Sequence, residues 1–314
     1  MGGVINMDNM TVYTPVKEDF VLRGTSSVSD AMKEGVTGKK TSAFKLFLNN
    51  KSAMIGLVIV AVLVLLSIFV PIFSAHKFNE QDLTNVNQNP CFEYWFGTDN
   101  LGRDLFARCF MGLRVSLFIA FAAAIIDLVI GMNYGLISGY FGGKTDLIMQ
   151  RIIDVVGSIP SLIIVTLLML VLEPGMWTIV FALMLTGWMD MSLIARSNVL
   201  KIKNLDYVQA TRTLGASHFH IISREIIPNT IGHLIPQLMI TVPSAIFFET
   251  FLSFVGLGMP IGSCSLGTLL SDGFQNVLIH PYKLLPPAIV MITLMISCHL
   301  IARGLEKIVT GRDS

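Results

Sequence analysis

Six long apolar stretches, at 53–73, 112–138, 152–172, 176–195, 231–258 and 285–302, alternate along this chain with shorter polar ones. Each is near the roughly 20 residues that a helix needs to cross a bilayer. Inside lipid only helices satisfy their own backbone hydrogen bonds without closing a barrel, so the pattern predicts an all-α, polytopic membrane protein with about six transmembrane helices. The intervals divide it further. Residues 1–43 lack sustained periodicity and read as a mobile cytoplasmic tail, 44–73 as the first membrane helix and 74–107 as an extracytoplasmic loop rich in Asn and Gln. Residues 108–305 then form a core of five membrane helices interrupted by a polar loop at 201–228, and 306–314 a C-terminal tail.

Two finer patterns lie within the spans. Gly131, Gly135 and Gly139 recur every fourth residue, which lets a neighbouring helix backbone approach closely, inside this subunit or in a second one. Pro160 in the third span, and Pro236 and Pro243 in the fifth, are expected to kink or locally unwind their helices.

Composition agrees with this reading: 53% of residues are hydrophobic, only 14% are charged, and the mean hydropathy is +0.68. Net charge is +1, and no nucleic-acid partner is expected. The placement of the basic residues is more informative. With both termini in the cytoplasm, 17 of the 22 Lys and Arg fall inside and only Lys77, Arg103, Arg108, Arg114 and Lys283 outside, as the positive-inside rule favours. About 50 polar residues precede the first span, so it reads as a retained anchor and not a cleaved signal. Cys91, Cys109, Cys264 and Cys298 have no metal-ligand spacing and are expected to be free thiols, with a Cys91–Cys109 pair as the alternative.

Asp127 and Glu249 lie deepest in the apolar spans and are candidates for lining a pore. Asp154 and Asp190 are expected to form interfacial salt bridges with Arg151 and Arg196, and His233 lies near a span end. A self-sufficient, ion-coupled carrier would use deep carboxylates as a relay, but it would also require paired broken helices in two related halves, and no such symmetry is legible. No nucleophile–base or metal constellation suggests an enzyme, and no GxxxxGK[ST] loop is present.

The most informative segment is DYVQATRTLGASHFHIISREIIP, from Asp206 to Pro228. Asp206 can cap a short helix with Tyr207, Ala210, Thr211 and Leu214 on one face, and Gly215 can end it in the left-handed conformation. Ser217 can cap a second helix with a Phe219, Ile222, Ile226 stripe, closed by Pro228. Arg212 and Arg224 are expected to be exposed. These features suit either a surface pushed by a soluble partner or an amphipathic loop on the membrane.

Residues 209–228 resemble the EAA loop of permease subunits of bacterial ABC importers. Gln209, Ala210 and Thr211 occupy the triplet positions, followed by Gly215 and Pro228, with Gln in place of the acid and Thr in place of the second Ala. The longer segment, with Tyr207, Val208, Gly215, Ala216, Pro228 and Asn229, is similar to the dipeptide, oligopeptide and nickel permease group. FGTDNLGRDLFARCFMGLRVSL at 96–117, GYFGGKTD at 139–146 and LSFVGLGMP at 252–260 extend the likeness, which covers about residues 44–305 and points to the C-type partner of the paired permeases. Leu266 before Gly267, and Ala302–Arg303 in the last helix, depart from the group's usual pattern.

The resemblance implies a type I ABC importer fold in a bacterial cell membrane. It also implies four kinds of contact: membrane lipid, a second homologous permease subunit of B type, two cytoplasmic ATPases that carry the ATP and Mg, and an extracytoplasmic substrate-binding protein. The chain would carry no cofactor and no catalytic site of its own. Motion of the ATPases would enter through a coupling helix from about Leu205 to Gly215, involving Tyr207, Gln209, Ala210, Thr211, Arg212, Gly215, Ala216 and Pro228. At the outer mouth, Asp99, Arg103 and Asp104 would contact the binding protein or serve as caps and salt bridges. Peptide is the expected cargo, with nickel or another metal chelate as the alternative.

Overall fold

The computed structural model describes residues 5–7, 10–12, 43–260 and 263–310. Most of the tail read as mobile lies outside them, as do residues 261–262 of one departure and the last four residues. The chain divides into two units, Met1–Lys45 and Leu46–Ser314. Within the first, β1 (Ile5–Met7) pairs antiparallel with β2 (Met10–Val12), so the all-α expectation holds for the membrane portion and not for this hairpin.

A short α1 (Ala43–Asn49) precedes α2 (Lys51–Phe73), whose first turn is capped by the Asn50 side chain accepting from the Ala53 N–H at 3.2 Å. The next helix, α3 (Leu105–Phe141), starts three residues before the expected loop boundary, because Asp104 caps it by accepting from the N–H groups of Phe106 and Ala107, each at 3.1 Å. At 37 residues it is about 55 Å long, well beyond the apolar thickness of a bilayer, so part of it projects from the apolar layer when it crosses upright.

Only Gly142 separates α3 from α4 (Gly143–Gly157). The third apolar stretch is not one straight helix: α4 and α5 (Ser161–Val171) meet at a bend of 74°. Pro160 stands at the break, where its ring cannot fit a continuing helix. The fifth stretch behaves differently. Here α9 (Ile227–Phe254) runs uninterrupted through Pro236 and Pro243, so neither proline unwinds it. Between these lie α6 (Met176–Ile202), α7 (Asp206–Thr213), α8 (His218–Ile221) and a π turn, Ile222–Ile226. The chain ends with α10 (Leu266–Gln275), a 3₁₀ turn (Pro281–Lys283) and α11 (Leu285–Thr310), which extends past the expected end at 302.

Five helices, or six spans if the bent pair counts as one, are long and apolar enough to cross a membrane among the described residues. Their outward faces are apolar: Ile55, Val58, Val62, Leu65, Phe69 and Ile72 form one exposed stripe along α2, and Leu285, Ile289, Ile292 and Ile296 another along α11. Alternate steps of three and four residues place each set on one helix face. These faces suit lipid.

The core gathers around α3, where Leu113, Ile119 and Ala120 pack with Ile179 and Ala182 of α6, Val242 and Ile246 of α9, Leu266 of α10 and Leu294 of α11. The expected glycine stripe joins α3 to α6 within the subunit. A Cβ on Gly131, Gly135 or Gly139 would fall 2.6, 2.3 or 3.0 Å from the backbone oxygens of Trp188, Ser192 or Arg196. The two four-residue ladders therefore mesh backbone to backbone. All four cysteines are free, Cys109, Cys264 and Cys298 being buried.

Candidate functional site

The polar segment forms a compact unit at the end of α3 and α6. Leu205, not Asp206, occupies the N-cap position of α7, and Asp206 lies in the first turn, where a carboxylate favours the positive end of the helix dipole. Gln209 reaches back, its Nε2 donating to the Lys203 carbonyl at 2.8 Å. A glutamate at this position could not make that bond, so the departure from the acidic triplet has a structural partner. Thr211 likewise donates to the Tyr207 carbonyl at 2.8 Å.

The helix ends at Gly215, which has φ of +82°. Gly215 N–H donates to Arg212 O at 3.0 Å and Ala216 N–H to Thr211 O at 3.3 Å, the paired bonds of a Schellman cap. Nothing lies within 4 Å of an added Cβ at Gly215, so its backbone conformation, not space, requires glycine. Ser217 caps α8 as expected, accepting from the His220 N–H at 3.3 Å.

Pro228 does not close that second helix. The π turn carries α8 into α9, with Ile227 N–H bonding to Ile222 O five residues back. Proline in an α-helix lacks an N–H and crowds the carbonyl four residues before it, and a widened turn relieves both conflicts. Asn229 then donates to Glu225 O at 2.6 Å and to the Tyr207 hydroxyl at 3.2 Å, tying the start of α9 to α7.

The faces differ from the expected ones. Val208 is the buried residue of α7, whereas Tyr207 is 42% and Leu214 88% exposed; in the second stripe Ile226 is buried as expected, but Phe219 is 80% exposed and Ile221 is buried in its place. A helix of eight residues offers one or two positions to its own subunit, and here Val208 takes that role. It joins Leu136, Val199, Ile202, Ile221 and Ile226 in a small separate core that binds α3, α6, α7 and α8 together. Polar ties reinforce it: Lys203 Nζ donates to Gly139 O at 2.6 Å, and the Tyr140 hydroxyl meets His218 Nδ1 at 2.7 Å. Arg196 forms a two-bond pair with Asp146, each at 2.6 Å, and not with Asp190 as expected. Arg151 does meet Asp154, at 3.3 Å on the surface. Ala210, Arg212, Leu214, Gly215, Arg224 and Pro228 all remain exposed on this packed base.

At the opposite end of α3, Asp99, Arg103 and Asp104 lie within a densely hydrogen-bonded loop. Asp99 accepts from the Leu101 and Arg103 N–H groups at 2.8 and 3.0 Å and pairs with Arg103 Nε at 2.7 Å. It also lies 3.4 Å from Nε of Arg108, whose side chain is 2% exposed. Asp104 is the cap of α3, and burial pushes its carboxyl above the usual range despite the two N–H groups it accepts. Tyr282 donates to Thr98 O at 3.2 Å, and Lys283 to the side-chain oxygens of Asn87 and Asn100, each at 2.5 Å. The three candidates are thus used internally as cap and ion pairs.

The two deep carboxylates occupy different surroundings. Glu249 is fully buried and held by its neighbours: it accepts from Ser116 at 3.0 Å and from Ser265, the cap of α10, at 2.6 Å. It clamps α3, α9 and the start of α10, and the departure at Leu266–Gly267 sits against it, with Leu266 buried and a Cβ on Gly267 only 2.7 Å from Glu249 Oε1. Asp127 instead lines a cavity of about 540 Å³ between α3, the α4–α5 break, α6 and α9, together with Asp190, Thr186, Gln237, Thr241 and Ser244. Sequence reasoning missed Asp190 there, and missed Lys203 and His218 at the other site, because each finds its partner across a helix boundary that no spacing rule reports.

A bundle of membrane-crossing helices, one of them broken beside a polar cavity, with a polar helix pair fixed at one end, defines a multi-pass membrane transport subunit. Residues 131–311 match the family described as the binding-protein-dependent transport system inner membrane component, and residues 41–90 match the N-terminal TM domain of oligopeptide transport permease C. The chain is 44% identical to the oligopeptide transport system permease protein OppC of Bacillus subtilis, over 83% of this chain and 85% of that one. It is 42% identical to the dipeptide transport system permease protein DppC of the same organism, over 88% and 87%. An inward-facing structure of the MetNI methionine ABC transporter is similar in fold, with a TM-score of 0.53 and 20% identity over 66% of this chain and 95% of that one. The protein belongs to the family of inner-membrane permease components of binding-protein-dependent ABC transport systems, in its OppC- and DppC-like group.

Proposed function

We propose that this chain is one half of the membrane pore of an ATP-driven peptide importer, and that α7 is the coupling helix through which two cytoplasmic ATPases move it. One observation carries the reading: α7 and its C-cap expose Ala210, Arg212 and Leu214 while the base of the helix is fastened to α3, α6 and α9 through the Val208 core and the Tyr207–Asn229 bond. A load applied to the exposed face is delivered to three membrane helices as one body. Alternation between inward- and outward-facing states is then a two-state equilibrium biased by what each ATPase state contacts here. The end bearing α7 faces the cytoplasm, and the loop holding Asp99 and Arg103 faces outward, where a substrate-binding protein delivers cargo. A second, B-type permease completes the pore, and ATP and Mg are held by the ATPases.

Peptide is the cargo on the names of the relatives, several of which are oligopeptide or dipeptide permeases. Metal-chelate import within the same group differs in the ligand of the separate binding protein. The deciding experiment is uptake of a labelled oligopeptide by the reconstituted five-part complex. Uptake should require ATP hydrolysis and stop when the ATPases carry a disabled nucleotide site. Uptake that survives that change but collapses with an ion gradient would establish a self-sufficient carrier instead.

A further inference from the structure

The cavity beside the α4–α5 break holds a group that neither coupling nor packing uses. Asp127 is only 2% exposed, yet its Oδ1 has no hydrogen-bond partner. Gly187 makes room for it, since a Cβ there would lie 2.0 Å from Oδ2. Withdrawing a carboxylate from water without a partner is costly, so Asp127 stays ionised only where a cation or a donor meets it. The chain's own cations do not. Among the described residues no Lys or Arg lines the cavity, and Arg196, also on α6, is committed to Asp146. Asp190 lines the same space, and Gln237, Thr241 and Ser244 present one polar face of α9 to it.

The volume falls within the usual range for small-ligand sites. The donor set argues against a hard metal ion, which takes six or more oxygen ligands, and no cluster of three or more His, Cys, Asp or Glu able to hold a metal is found among the described residues. An ammonium group has three donors and no acceptor, the complement of an unpartnered carboxylate oxygen backed by hydroxyls.

We propose that Asp127, assisted by Asp190, is a cation subsite on the translocation path that receives the α-ammonium group of the transported peptide. This rests on the peptide-permease reading above. A charge-assisted contact at the broken span orients the cargo N-terminus as it passes, and water takes the place of the ammonium group on release.

The test uses the complete complex in proteoliposomes and a labelled tripeptide, with a free or an N-acetylated terminus. The same binding protein serves every reaction, so its own preference cancels when the wild-type rate is divided by the variant rate for each peptide. Asp127→Asn should lower uptake of the free-amine peptide by about tenfold, equivalent to about 1.4 kcal/mol, and of the acetylated one by less than about twofold. Asp127→Glu should restore much of the preference. Equal losses for both peptides, as a partner-subunit cation or a proton relay at Asp127 would give, overturn the proposal, and so does no loss. Should Asp127→Asn fail to assemble, Asp190→Asn takes its place: a loss confined to the free-amine peptide supports the subsite, and equal rates overturn it. Failure of the wild-type complex to import either peptide would overturn the peptide reading itself and the subsite with it.

Discussion

The two ends of α3 carry the two densest motifs of the chain, and they use their polar residues in opposite ways. At one end Asp99, Arg103 and Asp104 turn inward, their charges spent on one another, on Arg108 and on the first turn of the helix. At the other, Val208, Tyr207 and Lys203 anchor the loop while Ala210, Arg212, Leu214 and Phe219 face out. Motif resemblance alone does not separate them. What separates them is where the hydrogen bonds go: a charged residue satisfied within its own loop builds a scaffold, whereas small, apolar or basic residues left exposed on a packed base are open to the contact proposed for α7.

This contrast can be broken most forcefully at Asp99. Asp99→Ala leaves Arg108 buried without its carboxylate and should cost about 3–5 kcal/mol, seen as a lowered thermal midpoint or loss of the solubilised protein. If the variant keeps wild-type stability but no longer docks the binding protein, the loop is a contact surface and the contrast fails. A smaller effect is expected at the other end. Gly215→Ala must hold a left-handed backbone and should destabilise the α7 cap by about 1–2 kcal/mol, with Gly215→Asn milder. Hydrogen exchange should speed up locally in residues 211–216 while α9 stays protected. Faster exchange throughout α9 would mean that the loop and its base are a single unit without the separable cap described here.

Much of the fold was legible because lipid simplifies the code. Apolar length gave the spans, Pro160 the break, and the glycine ladder a close helix contact whose partner, α6, only the structure supplied. Pro236 and Pro243 were misread for a physical reason: proline removes one bond and crowds one carbonyl, but a long helix packed on α3, α6 and α11 can hold its course through that loss. The loop's caps at Gly215 and Ser217 were local and readable. Its buried face was not, since eight residues are too few for periodicity to say whether Val208 or the Tyr207–Leu214 stripe packs inward. Glu249 and Asp127 looked alike as deep carboxylates, and only the fold sent one to the start of α10 and the other to a cavity. Gln209 looked like a weakened motif until its bond to Lys203 O showed what an amide does there.

The central claim is that α7 is a surface on a rigid base, and Ala210→Arg tests it most directly. Ala210 is exposed, so stability should change by no more than about 0.5 kcal/mol. In the reconstituted complex the variant should insert and fold with a wild-type thermal midpoint, yet lose ATP-dependent uptake and the stimulation of ATP hydrolysis by the loaded binding protein. Normal uptake with normal coupling to ATP hydrolysis would contradict the account.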